Sequence, residues 1–166
     1  LIEIANLGAA AGNLGRFRVA AAGAAVELAF NDLAVPAGGR VTIHTGASGA
    51  NTATNIFLPG LGALPDAAGS VALYAPSTLS FQNALVNKDL MLDFVQWGGG
   101  GQSNEATAGL ASFWTAGTAI NGAAAGHSIE YCANPTLDHG LSRWAEISPP
   151  NFGGNSDCTT PVLSQS

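Results

Sequence analysis

Charge is the scarcest property of this 166-residue chain: Lys, Arg, Asp and Glu together make up 10% of it, where ~25% is ordinary for a globular domain. Basic residues are fewest. Five Lys and Arg stand against eleven Asp and Glu, a formal net charge of −6. That balance excludes nucleic-acid binding by phosphate neutralisation. No apolar run approaches the ~18 residues of a membrane span. There is no Gly-x-Ser-x-Gly nucleophile elbow. The glycine run Gly98–Gly101 is followed by Gln102 and Ser103 rather than by a lysine and a long helix, which excludes a phosphate loop. Close backbone approach and positive φ are the expectation there. Methionine occurs once and cysteine twice.

Small residues are what the chain has in abundance. Its 31 alanines and 22 glycines make up about a third of the sequence. The larger apolar side chains suffice for a single modest core, in keeping with a length that fits one domain. The surplus of small residues belongs to surfaces and loops. A charge-poor surface of small apolar groups suits close contact with another protein, although a plain compositional bias accounts for it equally well.

Short alternating runs separated by Gly, Pro and Asn predict strands. They are Ile2–Ile4, Arg16–Val19, Val26–Phe30, Arg40–His44, Ser70–Tyr74, Leu90–Trp97 and His127–Tyr131. The Leu90–Trp97 run is apolar enough to be buried on both faces over part of its course. Val35-Pro36-Ala37-Gly38-Gly39 reads as a tight turn before a strand. One or two helical turns are expected over Asn104–Trp114, with Asn104 as the cap. Seven or more short strands spaced by turns predict an all-β sandwich in one domain, residues 1–166.

The ordered motifs resemble the lamin-tail domain, an immunoglobulin-like β-sandwich, in its secreted bacterial form. The residues that carry the resemblance are Ile2-Glu3-Ile4-Ala5-Asn6-Leu7-Gly8, the Val35–Gly46 turn and strand, and Gly69–Tyr74. Asp93–Gly98, Trp114–Gly117, Gly126–Tyr131 and the closing Trp144–Pro150 follow in order. The likeness covers Ile2 to Asn155. Two departures stand out. Gly15-Arg16-Phe17 replaces a Gly-Trp of the family, and no strand precedes Ile2. Because Leu1-Ile2-Glu3-Ile4 reads as the middle of a strand, an upstream segment is expected to have been removed or to lie outside this chain. The edge Leu1, Ile2, Glu3, Ile4, Ala5 is then expected to be covered by a partner.

The resemblance implies no catalytic machinery, and the residues lead to the expectation of no cofactor and no metal. The residues themselves offer only scattered candidates. Ser48, His44 and Asp66 can be assembled into a triad on paper. Glu27 with Asp32, and Asp89 with Asp93, are local carboxylate pairs that read as solvated strand edges. His127 and Glu130 differ in strand parity and cannot chelate together. His44, His127 and His139 lack zinc spacing. Asn155-Ser156-Asp157 has oxygen chemistry for calcium but too few carboxylates. Trp97, Trp114 and Trp144 suit core packing better than a sugar-binding platform. Cys132 and Cys158 are expected to form a disulfide that tethers a C-terminal arm. The expected function is a non-enzymatic, extracellular structural or assembly module. It self-associates or binds another extracellular protein through strand edges and small-residue contacts. A filament results where such contacts do not close. The alternative is an accessory module for carbohydrate or another surface polymer.

Overall fold

A computed structural model describes residues 1–21, 23–30, 32–132 and 139–154. In chain order, β1 spans Ile2–Ala5, β2 Gly12–Asn13, β3 Arg18–Ala21, β4 Ala24–Glu27, β5 Ala34–Val35 and β6 Arg40–Thr45. β7 spans Asn55–Leu58, β8 Gly69–Tyr74, β9 Met91–Trp97, β10 Ser128–Tyr131 and β11 Trp144–Ile147. The helices are short: α1 is Phe81–Leu85 and α2 is Glu105–Leu110. The class is all-β, as the alternation predicts.

Two sheets carry the molecule. One has the order β4-β3-β8-β9 and is antiparallel throughout. The other has the order β1-β6-β7, antiparallel at β1–β6 and parallel at β6–β7. β2–β5 and β10–β11 form two-stranded ribbons. Val41 and Ile43 of β6 and Ile56 and Leu58 of β7 share one buried cluster with Val19 and Ala21 of β3. The two larger sheets therefore enclose a common core. The period of two puts Arg40, Thr42 and His44 on the opposite face of β6, where they are only partly buried.

The β4-β3-β8-β9 sheet has a second core on its other face. Ala72 and Tyr74 of β8 and Phe94 of β9 pack there with Ala108 of α2 and with Trp114, whose ring meets that of Phe94 edge-on at 5.4 Å. β9 is thus buried on both faces over part of its length, as its composition predicts. Arg18 corrects the alternation. It shares this second face with Tyr74, its partner across β8, and is 3% exposed. Glu27, the Ser77 carbonyl and the Phe81 ring receive its guanidinium.

Turn chemistry follows the residues. The Gly39 amide donates to the Pro36 carbonyl at 2.8 Å, and Gly38 takes a φ of +69° at the bend. The glycine run packs as close as its composition suggests. A Cβ on Gly98 would lie 1.9 Å from the Ala67 carbonyl oxygen, and one on Gly100 would lie 2.5 Å from Gly117 Cα. Asn104 departs from expectation. It occupies the N-cap position of α2 with a φ of +68° and makes no side-chain cap bond. Its Oδ1 instead accepts the Tyr74 hydroxyl at 3.2 Å.

Candidate functional site

A cleft of about 910 Å³ runs between the edge strands of the two sheets, β1 on one side and β9 on the other. Strand register explains its lining. Residues directly opposite in an antiparallel pair point to the same face. Ile2 and Ile4 stand opposite Ile43 and Val41, both buried, so they face inward. On the facing sheet Val71 stands opposite Val95, and Leu73 opposite Asp93. These four side chains form the opposing wall. Ile129, Tyr131 and Trp144 of the β10–β11 ribbon close one end. Tyr131 and Trp144 meet edge-to-face at 5.4 Å.

Both flanking strands have a free side. Among the described residues β1 has β6 on one side and no strand on the other. β9 has β8 on one side and, on the other, an isolated bridge from Trp97 to Ile120. The two edges differ in protection. β9 carries Asp93 in its inward row, a device that blunts an edge against further pairing. β1 carries only Ile2 and Ile4 inward, and its charge, Glu3, faces outward. There Glu3 lies 3.2 Å from Arg40 and accepts the Gly153 amide at 2.8 Å. The predicted edge Leu1–Ala5 lines the cleft throughout, and Leu1 is 55% exposed.

The acidic and imidazole side chains singled out in the sequence are engaged separately rather than gathered. His44 bonds Asn55 at 3.0 Å and stacks on Phe57. Glu27 receives Arg16 and Arg18. Asp89 pairs with Lys88, and Asp93 lies 3.4 Å from His139, whose ring stacks on Phe113. His127 bonds Glu146 across the ribbon at 2.8 Å, while Glu130 accepts the Ser128 hydroxyl. Asp93 lies on the edge strand β9 with its side chain partly exposed, in the row that faces the cleft. Among the described residues no group of three His, Cys, Asp or Glu is placed to hold a metal.

Trp97 and Trp114 are buried, and each donates its indole N–H to a carbonyl, Trp97 to Pro65 at 2.9 Å and Trp114 to Thr118 at 2.7 Å. Cys132 continues the ribbon, its amide donating to the Arg143 carbonyl at 2.7 Å. Cys158 lies outside the described residues, as do Asn155, Ser156 and Asp157.

One polar cluster escapes sequence reasoning. Glu105 accepts Gln96 Nε2 at 2.6 Å, the Gly117 amide at 2.8 Å and the Gly101 amide at 3.0 Å. The Gln96 amide group and these two backbone donors hold its carboxyl below the usual carboxylate range. Gln96 is fully buried. The Glu105–Gln96 pair ties the glycine loop to β9 and faces away from the cleft. Its only sequence signal is an acidic residue in the first turn of α2, which by itself reads as dipole compensation.

Compared with protein-family models, with curated proteins and with solved structures, the chain matches none. The functional reading therefore rests on the cleft and its edges. No described helix is long and apolar enough to cross a membrane.

Proposed function

We propose that this chain is a non-enzymatic, extracellular structural or assembly module. In this reading it is an immunoglobulin-like sandwich of the lamin-tail kind that works by accepting an extended strand at the β1 edge. The observation that carries the reading is the open apolar cleft beside an unblunted edge strand. Ile2 and Ile4 line the cleft at the rim of the core, and the side of β1 that no described strand pairs would offer an added strand backbone hydrogen bonds. An added strand satisfies backbone groups and buries Val71 and Leu73 at once, which a small apolar ligand does not. A second copy and another extracellular protein both reach the chain through this edge. The Cys132–Cys158 disulfide belongs to the same reading, as a tether beside the ribbon that closes the cleft. Of the three tryptophans of the carbohydrate alternative, Trp97 and Trp114 are buried and only Trp144, half-buried at the end of the cleft, is left to stack on a sugar.

Amide exchange of the full chain tests the reading. A capped peptide of alternating Val and Thr is added, and residues 2–5 are followed. Slowed exchange at these residues is expected. Ile4→Pro, which removes a donor and fixes φ, abolishes the slowing, and Ile2→Lys, a charge in the inward row, weakens it. Unchanged exchange at saturating peptide, with the fold intact, overturns strand acceptance at β1.

A further inference from the structure

We infer that the strand accepted by the cleft belongs to a different protein and carries a Lys or Arg at one inward position, with apolar residues at the others. The inference rests on strand acceptance at β1 and names the partner's chemistry. Its starting point is Asp93. In the rows that face the cleft from β1, β8 and β9, the side chains are Ile2, Ile4, Val71, Leu73, Val95, Trp97 and Asp93, the one charge among them. Asp93 now receives the Phe94 amide at 2.8 Å and His139 Nδ1 at 3.4 Å, and its side chain is 39% exposed. An apolar strand laid across it removes that solvent and leaves a carboxylate covered, which is costly unless a cation comes with the strand.

The wider lining has the same sign. Glu3, Asp66 and Glu130 also border the cleft, and the one arginine there, Arg40, is already 3.2 Å from Glu3. A second copy of this chain does not supply the missing cation in a strand. Among the described residues the strands with a free side are β1, β4, β7, β9 and the four of the ribbons. None of them contains Lys or Arg. The two arginines that lie in strands, Arg18 and Arg40, sit in β3 and β6, each flanked on both sides. Charge complementarity therefore selects a foreign strand over a copy.

The test uses the full chain and capped alternating peptides that differ only at the central inward residue, Lys, Val or Glu. The Lys peptide is expected to bind about fivefold or more tightly than the Glu peptide, the size of a partly screened ion pair. The advantage shrinks at high salt and disappears in Asp93→Asn, with circular dichroism reporting the fold. If that variant does not fold, the salt series on the unmodified chain decides. Equal affinities for the three peptides overturn the inference and leave strand acceptance standing. Absence of binding by all three, with residues 2–5 unprotected, overturns both. Sedimentation of the chain alone is expected to give a monomer. Association with protected β1 amides means that a copy supplies the strand, and it too overturns the inference.

Discussion

On the cleft face of the four-stranded sheet, Val71 and Leu73 are the larger apolar residues of β8, yet both are only partly buried. On the other face Ser70, Ala72 and Tyr74 are sealed, at 1%, 1% and 0% exposure. The alternating pattern ranks these faces the other way round. The difference lies in what covers each one. Beneath the second face, α2 and Trp114 close over the sheet, and the Tyr74 hydroxyl finds the Leu85 carbonyl at 2.9 Å. Burial pushes the Tyr74 phenol up to about 12. On the cleft face Val71 and Leu73 pack against the core shared with the β1-β6-β7 sheet, but the cleft beside them leaves both only partly covered. A hydrophobic side chain is buried only as far as the tertiary structure supplies a partner for it.

The closed face is where a substitution should cost most. Phe94→Ala removes a ring that is 1% exposed and should destabilise by about 3–5 kcal/mol in urea unfolding. A loss below about 1 kcal/mol would break the contrast between the faces. The Cys132–Cys158 tether of the proposed reading can be tested on the same scale. Reduction of Cys132–Cys158 should cost about 3–3.5 kcal/mol in the chain-entropy model, for a loop of ~27 residues. The unfolded, unreduced chain should present no thiol to a labelling reagent, and stoichiometric labelling of both cysteines removes the tether.

Leu73→Ala sharpens the comparison from the open side. Its partial burial should limit the loss to about 1–2 kcal/mol, clearly below that of Phe94→Ala in the same assay. When the cleft is filled by a bound strand, the cost of Leu73→Ala should rise, because the bound state buries what the free state exposes.

The smallest effect concerns Glu105 and pH. Its folded pKa is depressed from 4.5, so the folded state binds the proton less readily than the unfolded state. The stability it contributes is present above the ordinary carboxylate range and is lost as pH falls through the lowered folded value. Glu105→Gln should flatten the acid limb of a stability–pH curve measured by denaturant midpoint. An unchanged acid limb would mean that the Gln96, Gly117 and Gly101 contacts do not favour the charged form.

Much of the strand order was legible because the alternating runs are strong where one face is buried. β1, β6, β8, β9 and β10 fall where Ile2–Ile4, Arg40–His44, Ser70–Tyr74, Leu90–Trp97 and His127–Tyr131 place them. α2 also falls within Asn104–Trp114. β7 was missed because its pairing with β6 is parallel and leaves no local turn signal. α1, Phe81-Gln82-Asn83-Ala84-Leu85, is too short to show a helical period. Of the cleft, the strand β1 was legible from the alternation of Ile2-Glu3-Ile4. Its partner across the gap was not. Val71, Leu73 and Asp93 come to face Ile2 and Ile4 only through the packing of two sheets, which no local pattern encodes.

By itself, then, the amino-acid order determined which segments extend, where they turn and which alternate residues share a face. Those properties follow from backbone sterics and the two-residue period of a strand. Only the tertiary structure decided which face is sealed and which stays open, that Arg18 lies inside, and that Asp93 looks into an apolar cleft. Each of these depends on residues distant in the chain coming into contact: Glu27 and Phe81 around Arg18, and β1 opposite β9 around the cleft. Desolvation acts on neighbours in space, whatever their separation along the chain.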